Sequence, residues 1–225
     1  MPKLLIRVDD LAHEGADVFF GAVNAKEALN AAVMASFKWL YTLEDVPRNV
    51  KQISLILRSM DGVAHTTGSK AHKEIHYSLD YIKATKHRAR DEIMGVLVHE
   101  VVHCYQYDGH GSCPGGLIEG MADYVRLQAD LGPPHWKPKG GKWDMGYDGT
   151  AYFLNWIEQK IGKGTVRKLN ACMKGRKYHE KMFEDLCGKS VDTLWMEYCA
   201  TLGDGVTPPP QEEEPAVNFI VQQDK

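Results

Sequence analysis

The stretch Val98-His99-Glu100-Val101-Val102-His103 lies inside a run that is otherwise apolar, I-M-G-V-L-V-H-E-V-V from Ile93 to Val102. Apolar residues on every helical face describe a buried helix rather than an amphipathic one on a surface. Two histidines and a glutamate in such a helix need partners. His99 and His103 stand four apart, so they project from one face with Cβ atoms about 5–6 Å apart, and both imidazoles can reach one tetrahedral ion at about 2.0–2.1 Å. Glu100 points to the side of that pair, where a carboxylate can accept a proton from a metal-bound water and pass it on. The alternative is a buried helix whose histidines are only hydrogen-bonded, and a third ligand is what separates the two.

Two architectures complete an H-E-x-x-H site. In one, a glycine three residues after the second histidine turns the chain and a third histidine follows three residues later; here those places hold Gln106 and Gly109, and His110 is one residue out of register. The other takes a glutamate from a following helix. After the glycine-rich loop 109–116, broken by Pro114, the chain enters G-L-I-E-G-M-A-D-Y-V-R-L with helical signals throughout. Glu119 and Asp123 are four apart on one face among Leu117, Ile118, Met121, Ala122 and Val125. That flanking sets them apart from solvated charge: Glu119 is expected on the metal, and Asp123 behind it, orienting a histidine ring through its other nitrogen. Two histidines and a glutamate leave a fourth position for water, the arrangement of a catalytic zinc rather than a structural one. Gly120 and Ala122 are small, as close packing of this helix against the motif helix requires.

The rest of the chain frames this centre. Lys3–Val8 reads as a short strand, followed by a turn-like stretch to Gly15. Asn24, with Glu27 three residues on, is a capping-box start for a helix whose apolar residues run from Ala28 to Tyr41. After Pro47 a strand is expected over Gln52–Met60, a turn at Asp61-Gly62, a returning strand over Val63–Thr67, and a half-buried strand over Glu74–Ile82. Its polar alternate residues place that last strand near a sheet edge, where an extended peptide could pair with it. Asp91 and Glu92 suit the first turn of the motif helix. Pro133–Lys142 is a loop over one rim of the cleft, anchored by Trp136 and Trp143, with His135 a weak alternative ligand. A helix follows to about Ile161, then three more near Thr165–Lys174, His179–Leu186 and Val191–Leu202.

The fold class is therefore α+β: a small N-terminal mixed sheet with helices, among them the motif helix, then a mainly helical C-terminal lobe. A single domain is expected over residues 1–202, its lobes divided near residue 110, with an acidic proline-rich tail over 203–225 whose patch Val217–Val221 has no evident place.

With 27 basic and 30 acidic residues the net charge is −3, and no long basic run is present. Nucleic acid and anionic membrane are poor partners for such a chain. No stretch approaches the roughly 18 apolar residues of a membrane span, and the apolar patch near the N-terminus is too short for a signal-peptide core. As written the chain is expected in the cytoplasm, or secreted if a leader was removed. Five cysteines, an odd number without C-x-x-C spacing, suggest neither a disulfide framework nor a cysteine zinc site; most are expected as small buried hydrophobes.

The run HEVVHCYQYDGHGSCPGGLIEGMADYVRL, continuing through GPPHW and KWDMGYDGTAYFL, closely resembles the plant basic secretory protein family, whose relatives also occur in fungi. More distantly, H-E-x-x-H followed by E-G-x-A-D-Y is similar to the gluzincin metallopeptidases typified by thermolysin. The resemblance covers roughly residues 49–202. It implies a zincin-like peptidase in which His99, His103 and Glu119 bind one zinc ion, Glu100 is the general base and Asp123 supports a ligand. Gluzincin relatives often carry a tyrosine just before the helix equivalent to the one after Trp143, which makes Tyr147 a candidate donor to the carbonyl oxygen on which charge builds; a core tyrosine with a satisfied hydroxyl is the alternative. The chain departs from the family pattern in its slightly acidic balance, its lack of a leader and its tail.

Two functions are consistent with these residues. One is a zinc endopeptidase acting on peptide or protein substrates. The other is a non-catalytic defence-related or interaction protein that keeps the fold and its metal. The intact Glu100 beside all three ligands favours the first.

Overall fold

Lys3–Val8 forms β1, and its neighbour is β2, Gln52–Arg58, paired in parallel with Lys3 opposite Gln52. The computed structural model describes residues 1–204; the tail from residue 205 and its Val217–Val221 patch lie outside the described residues. A parallel pair needs a crossover, and here it is made by two helices, α1 (Glu14–Ala22) and α2 (Ala25–Leu40). The chain then runs through β3 (Ala64–Gly68) and β4 (His72–Ser78) into the short helix α3 (Leu79–Ala84). Next come α4 (Ala89–Tyr105), α5 (Gly115–Gln128), α6 (Tyr147–Ile161), α7 (Thr165–Cys172), α8 (Lys181–Cys187) and α9 (Val191–Thr201). The architecture is α+β, a mixed four-stranded sheet with helices followed by a helical C-terminal part.

Sheet order is β1-β2-β4-β3, with β2 and β4 parallel and β3 antiparallel to β4. This corrects two expectations. The turn at Asp61-Gly62 exists, with Gly62 at φ +80, but β3 returns beside β4 and not beside β2. The strand expected to end at Ile82 stops at Ser78 and is interior, leaving β3 at the edge. Ser78 is why: its Oγ accepts from the Tyr81 amide and caps α3, so Leu79 and Ile82, read as strand residues, are buried on a helix.

The N-terminal stretch hides a second difference. His13 caps α1, its Nδ1 accepting from the Gly15 amide at 3.0 Å, and a nine-residue helix follows where only a turn was expected. Gly15 is essential to it, because a Cβ there would lie 2.2 Å from the Leu79 carbonyl oxygen. The start of α2 is as expected, with Asn24 Oδ1 accepting from the Glu27 amide at 3.1 Å.

Two compact units divide the chain. The first holds Met1–Phe37, Asp45–Gln106 and Val125–His135. Its core joins Ile53, Leu55, Leu57, Ile75 and Tyr77 of the sheet to Phe19, Leu29, Val33, Leu79, Ile93 and Leu97 of the helices, all fully buried. The second holds Lys38–Glu44, Tyr107–Tyr124 and the chain from Trp136. It is built on aromatic contacts: Trp143 lies edge-on to Phe183 at 5.6 Å, and Phe153 lies edge-on to Trp195 at 5.1 Å. Trp143 is thus an anchor, as expected, while Trp136 is only half-buried.

All five cysteines are free, and only Cys104 is buried; the other four are half-exposed, which corrects the expectation that most sit in the core. Burial pushes the Cys104 thiol up to about 12. Among the described residues no helix is long and apolar enough to cross a membrane.

Candidate metal centre

From Ile93 to Tyr105 every residue of α4 is buried except Met94 and His103. A helix surrounded on all sides is held in one rotation, so the direction of its side chains is determined by packing. His99 and His103, one turn apart, bring their Nε2 atoms to 3.0 Å with the rings edge to face. His103 then makes a second contact, its Nδ1 lying 2.5 Å from Gln106 Oε1. An amide oxygen only accepts, so Nδ1 carries the proton and Nε2 is left with its lone pair. Two imidazole nitrogens this close repel unless a proton or a cation lies between them. Nitrogen ligands on one tetrahedral zinc stand roughly 3.3 Å apart, from bonds of about 2.0–2.1 Å, so the observed separation suits a shared ion.

Glu119 completes the group. The ligating atoms of His99, His103 and Glu119 all lie within 4.8 Å of one another, so the group could hold a metal ion, and no other group of three or more such residues occurs among the described residues. Imidazole with carboxylate is a donor set that zinc accepts. His110 and His135 are exposed and outside the group.

The position of Glu119 on α5 follows from two glycines on that helix. A Cβ at Gly116 would lie 1.7 Å from the Asp144 carbonyl oxygen, and one at Gly120 would lie 2.3 Å from the Thr150 side chain. Gly120 therefore admits Thr150 of α6, which corrects the expectation that it faces the motif helix. Thr150 Oγ1 in turn donates to the Trp143 carbonyl and accepts from the Gly146 amide. That bend brings Gly146 against Glu119, 3.7 Å between Cβ positions.

Tyr147 follows at the first position of α6, 58% exposed, with φ at +48. It is not the core tyrosine of the alternative reading. A positive φ is uncommon for a bulky residue and marks a constrained bend. Asp123, one turn after Glu119, is 2% exposed.

Glu100 is 5% exposed, and the Thr66 hydroxyl of β3 lies 2.7 Å from its Oε2 and 2.9 Å from its carbonyl oxygen. The edge strand thus supplies the hydroxyl that orients this carboxylate. Neither Gln106 nor Thr66 was singled out from the sequence. Gln106 had a local signal, a polar side chain three residues after His103. Thr66 had none, since its 34-residue separation from Glu100 is closed only by the sheet topology.

A family model described as BSP, peptidase of plants and bacteria, matches residues 1–198. The chain belongs to the BSP family. The match begins at the first strand, so the family's extent includes β1, α1 and α2, which the motif-based resemblance had left out. No curated protein and no solved structure matches the chain. In this BSP chain the peptidase description and the His99, His103 and Glu119 group coincide.

Proposed function

We propose that this BSP protein is a zinc metallopeptidase, acting as an endopeptidase on protein chains, with one zinc ion held by His99, His103 and Glu119. The observation that carries the reading is the convergence of those three side chains within 4.8 Å, with the buried carboxylate of Glu100 on the same helix. When bound, zinc supplies a water of lowered pKa, towards about 7, and polarises a carbonyl group.

The chain's own residues do the rest. Glu100, turned by Thr66, accepts the proton of the attacking water and delivers it to the amine nitrogen as the C–N bond breaks; the oxygen of that water ends in the new carboxylate. Gln106 keeps the His103 proton on Nδ1, away from the metal side. With that ring nitrogen taken, Asp123 has the His99 ring to orient. Tyr147, exposed at a bend next to Gly146, donates a hydrogen bond to the carbonyl oxygen as negative charge builds on it.

The test is zinc content together with hydrolysis of an unfolded protein substrate by the wild type, Glu100→Ala and Glu119→Ala. Glu100→Ala keeps its metal and loses activity, whereas Glu119→Ala loses both. Equal turnover by wild type and Glu100→Ala would remove the mechanism, and one bound zinc without turnover on a broad peptide library would favour a binding protein.

A further inference from the structure

Glu92 is a glutamate in the core with no place in the chemistry above. Its side chain is 4% exposed, and its two oxygens take three donors: Arg126 Nη2 at 3.0 Å and Tyr81 Oη at 2.9 Å on Oε1, and Arg88 Nη1 at 2.5 Å on Oε2. Arg126 is 8% exposed and places its Nε on the Leu131 carbonyl at 3.0 Å. Its guanidinium lies on the backbone of α4, where Gly95 makes room; a Cβ there would stand 2.4 Å from Nε and 2.7 Å from Nη2. A glycine inside a buried helix lowers helical propensity, and this contact is what it permits.

The spacing of these residues is the informative part. Glu92 is seven positions before His99 on α4, and Arg126 is seven positions after Glu119 on α5. Seven residues are two helical turns, about 10.5 Å along the axis, returning to within roughly 20° of the same face. Each helix therefore carries a ligand and a pinned charge on one face at the same spacing, counted in opposite directions along the chain.

We propose that the Glu92–Arg126 pair is a clamp that sets the register of α5 against α4, and so the distance at which Glu119 meets His99 and His103 around a metal ion. Glu92 and Arg126 are positioning residues in this sense; they touch neither substrate nor metal. A rotation or slide of α5 that moved Glu119 off the ion would have to break a buried ion pair whose carboxylate takes three donors, and a geometry so determined needs no rearrangement when the metal arrives. The proposal rests on the three residues being the ligands.

The test measures metal binding by folded protein, independently of turnover. Zinc affinity is read by competition with a chromophoric chelator, and the ligand geometry by the visible absorption of the cobalt(II) form, for wild type, Arg126→Met and Glu92→Gln. The clamp predicts that Arg126→Met, while keeping a native circular dichroism spectrum, binds zinc at least tenfold more weakly and gives an altered cobalt spectrum. Glu92→Gln, which keeps the shape and the acceptor facing Arg126 and Tyr81 but removes the charge and the acceptor facing Arg88, shifts both in the same direction by less. Should Arg126→Met fail to fold, Glu92→Gln alone decides. Wild-type affinity and spectrum in a folded variant overturn the clamp and leave the metal site standing. A wild type that binds neither metal takes down the site itself, and the clamp with it.

Discussion

Gln106 Oε1 sits 2.5 Å from Nδ1 of His103, at the residue that closes the C-terminus of α4. A histidine ligand whose far nitrogen is engaged is held both in orientation and in tautomer, and losing such a partner typically weakens metal binding about 10–100-fold. Gln106→Ala should therefore bind zinc more weakly by that order while its fold is unchanged, measured by chelator competition on apo protein. Affinity equal to wild type would mean the contact does nothing for the metal.

Thr66 tests the base role proposed for Glu100. Replacing it with valine removes the hydroxyl beside Glu100 Oε2 and keeps the branched shape that suits a strand. A hydrogen bond to a charged group contributes about 1.5–3 kcal/mol, so kcat should fall by roughly ten- to a hundredfold, with KM and zinc content near wild type. Thr66→Ser should restore most of the rate. A rise in KM without a fall in kcat would instead place Thr66 in substrate binding.

The Glu92 network has its own dependence on pH. Burial alone pushes the Glu92 carboxyl up, but the charges and hydrogen bonds of Arg126, Tyr81 and Arg88 outweigh it and hold the group below the ordinary carboxylate value. With the folded value below the unfolded one, the stabilisation is complete above about pH 4.3 and is lost as pH falls through the folded value. Urea midpoints should thus drop in acid for wild type and change less over the same range for Glu92→Gln. Removing one partner of a buried pair costs about 3–5 kcal/mol, so Arg126→Met should be the least stable of these variants at neutral pH.

Two adjacent glycines offer an internal control. A Cβ at Gly115 meets nothing within 4 Å, whereas one at Gly116 would run into the Asp144 carbonyl. Gly115→Ala should leave the thermal midpoint unchanged or raise it. Gly116→Ala should lower stability by about 1–3 kcal/mol, and because Gly146 packs on the same turn of α5, it should also reduce activity.

How much of this was legible in the residues depended on distance along the chain. The pair His99 and His103 is one helical turn, and Glu119 is marked by the apolar helix around it, so a period-3.6 reading reaches all three members of the group that could hold a metal ion. The cap at Asn24 is equally local. Ser78 was misread because I-H-Y-S-L-D-Y-I alternates in the period of a strand across a boundary that a single hydroxyl creates. The returning strand β3 was recognised, but its neighbour was not, since pairing with β4 instead of β2 leaves no trace in either strand's own pattern. Gly95 and Arg126 are alike in this respect: nothing near either residue announces that one vacates the space the other fills.

The Gln106 contact ties the candidate metal centre to the least secure part of its own helix. The Gln106 amide donates to Val102 as the final bond of α4, and the last turn of a helix opens more readily than its middle. Each fraying event that releases this turn releases His103 as well. A ligand that binds only the closed form lowers the frequency of such openings by mass action, so amide hydrogens from Val102 to Gln106 should exchange faster after metal removal than those of Ile93–Leu97 at the other end of the same helix.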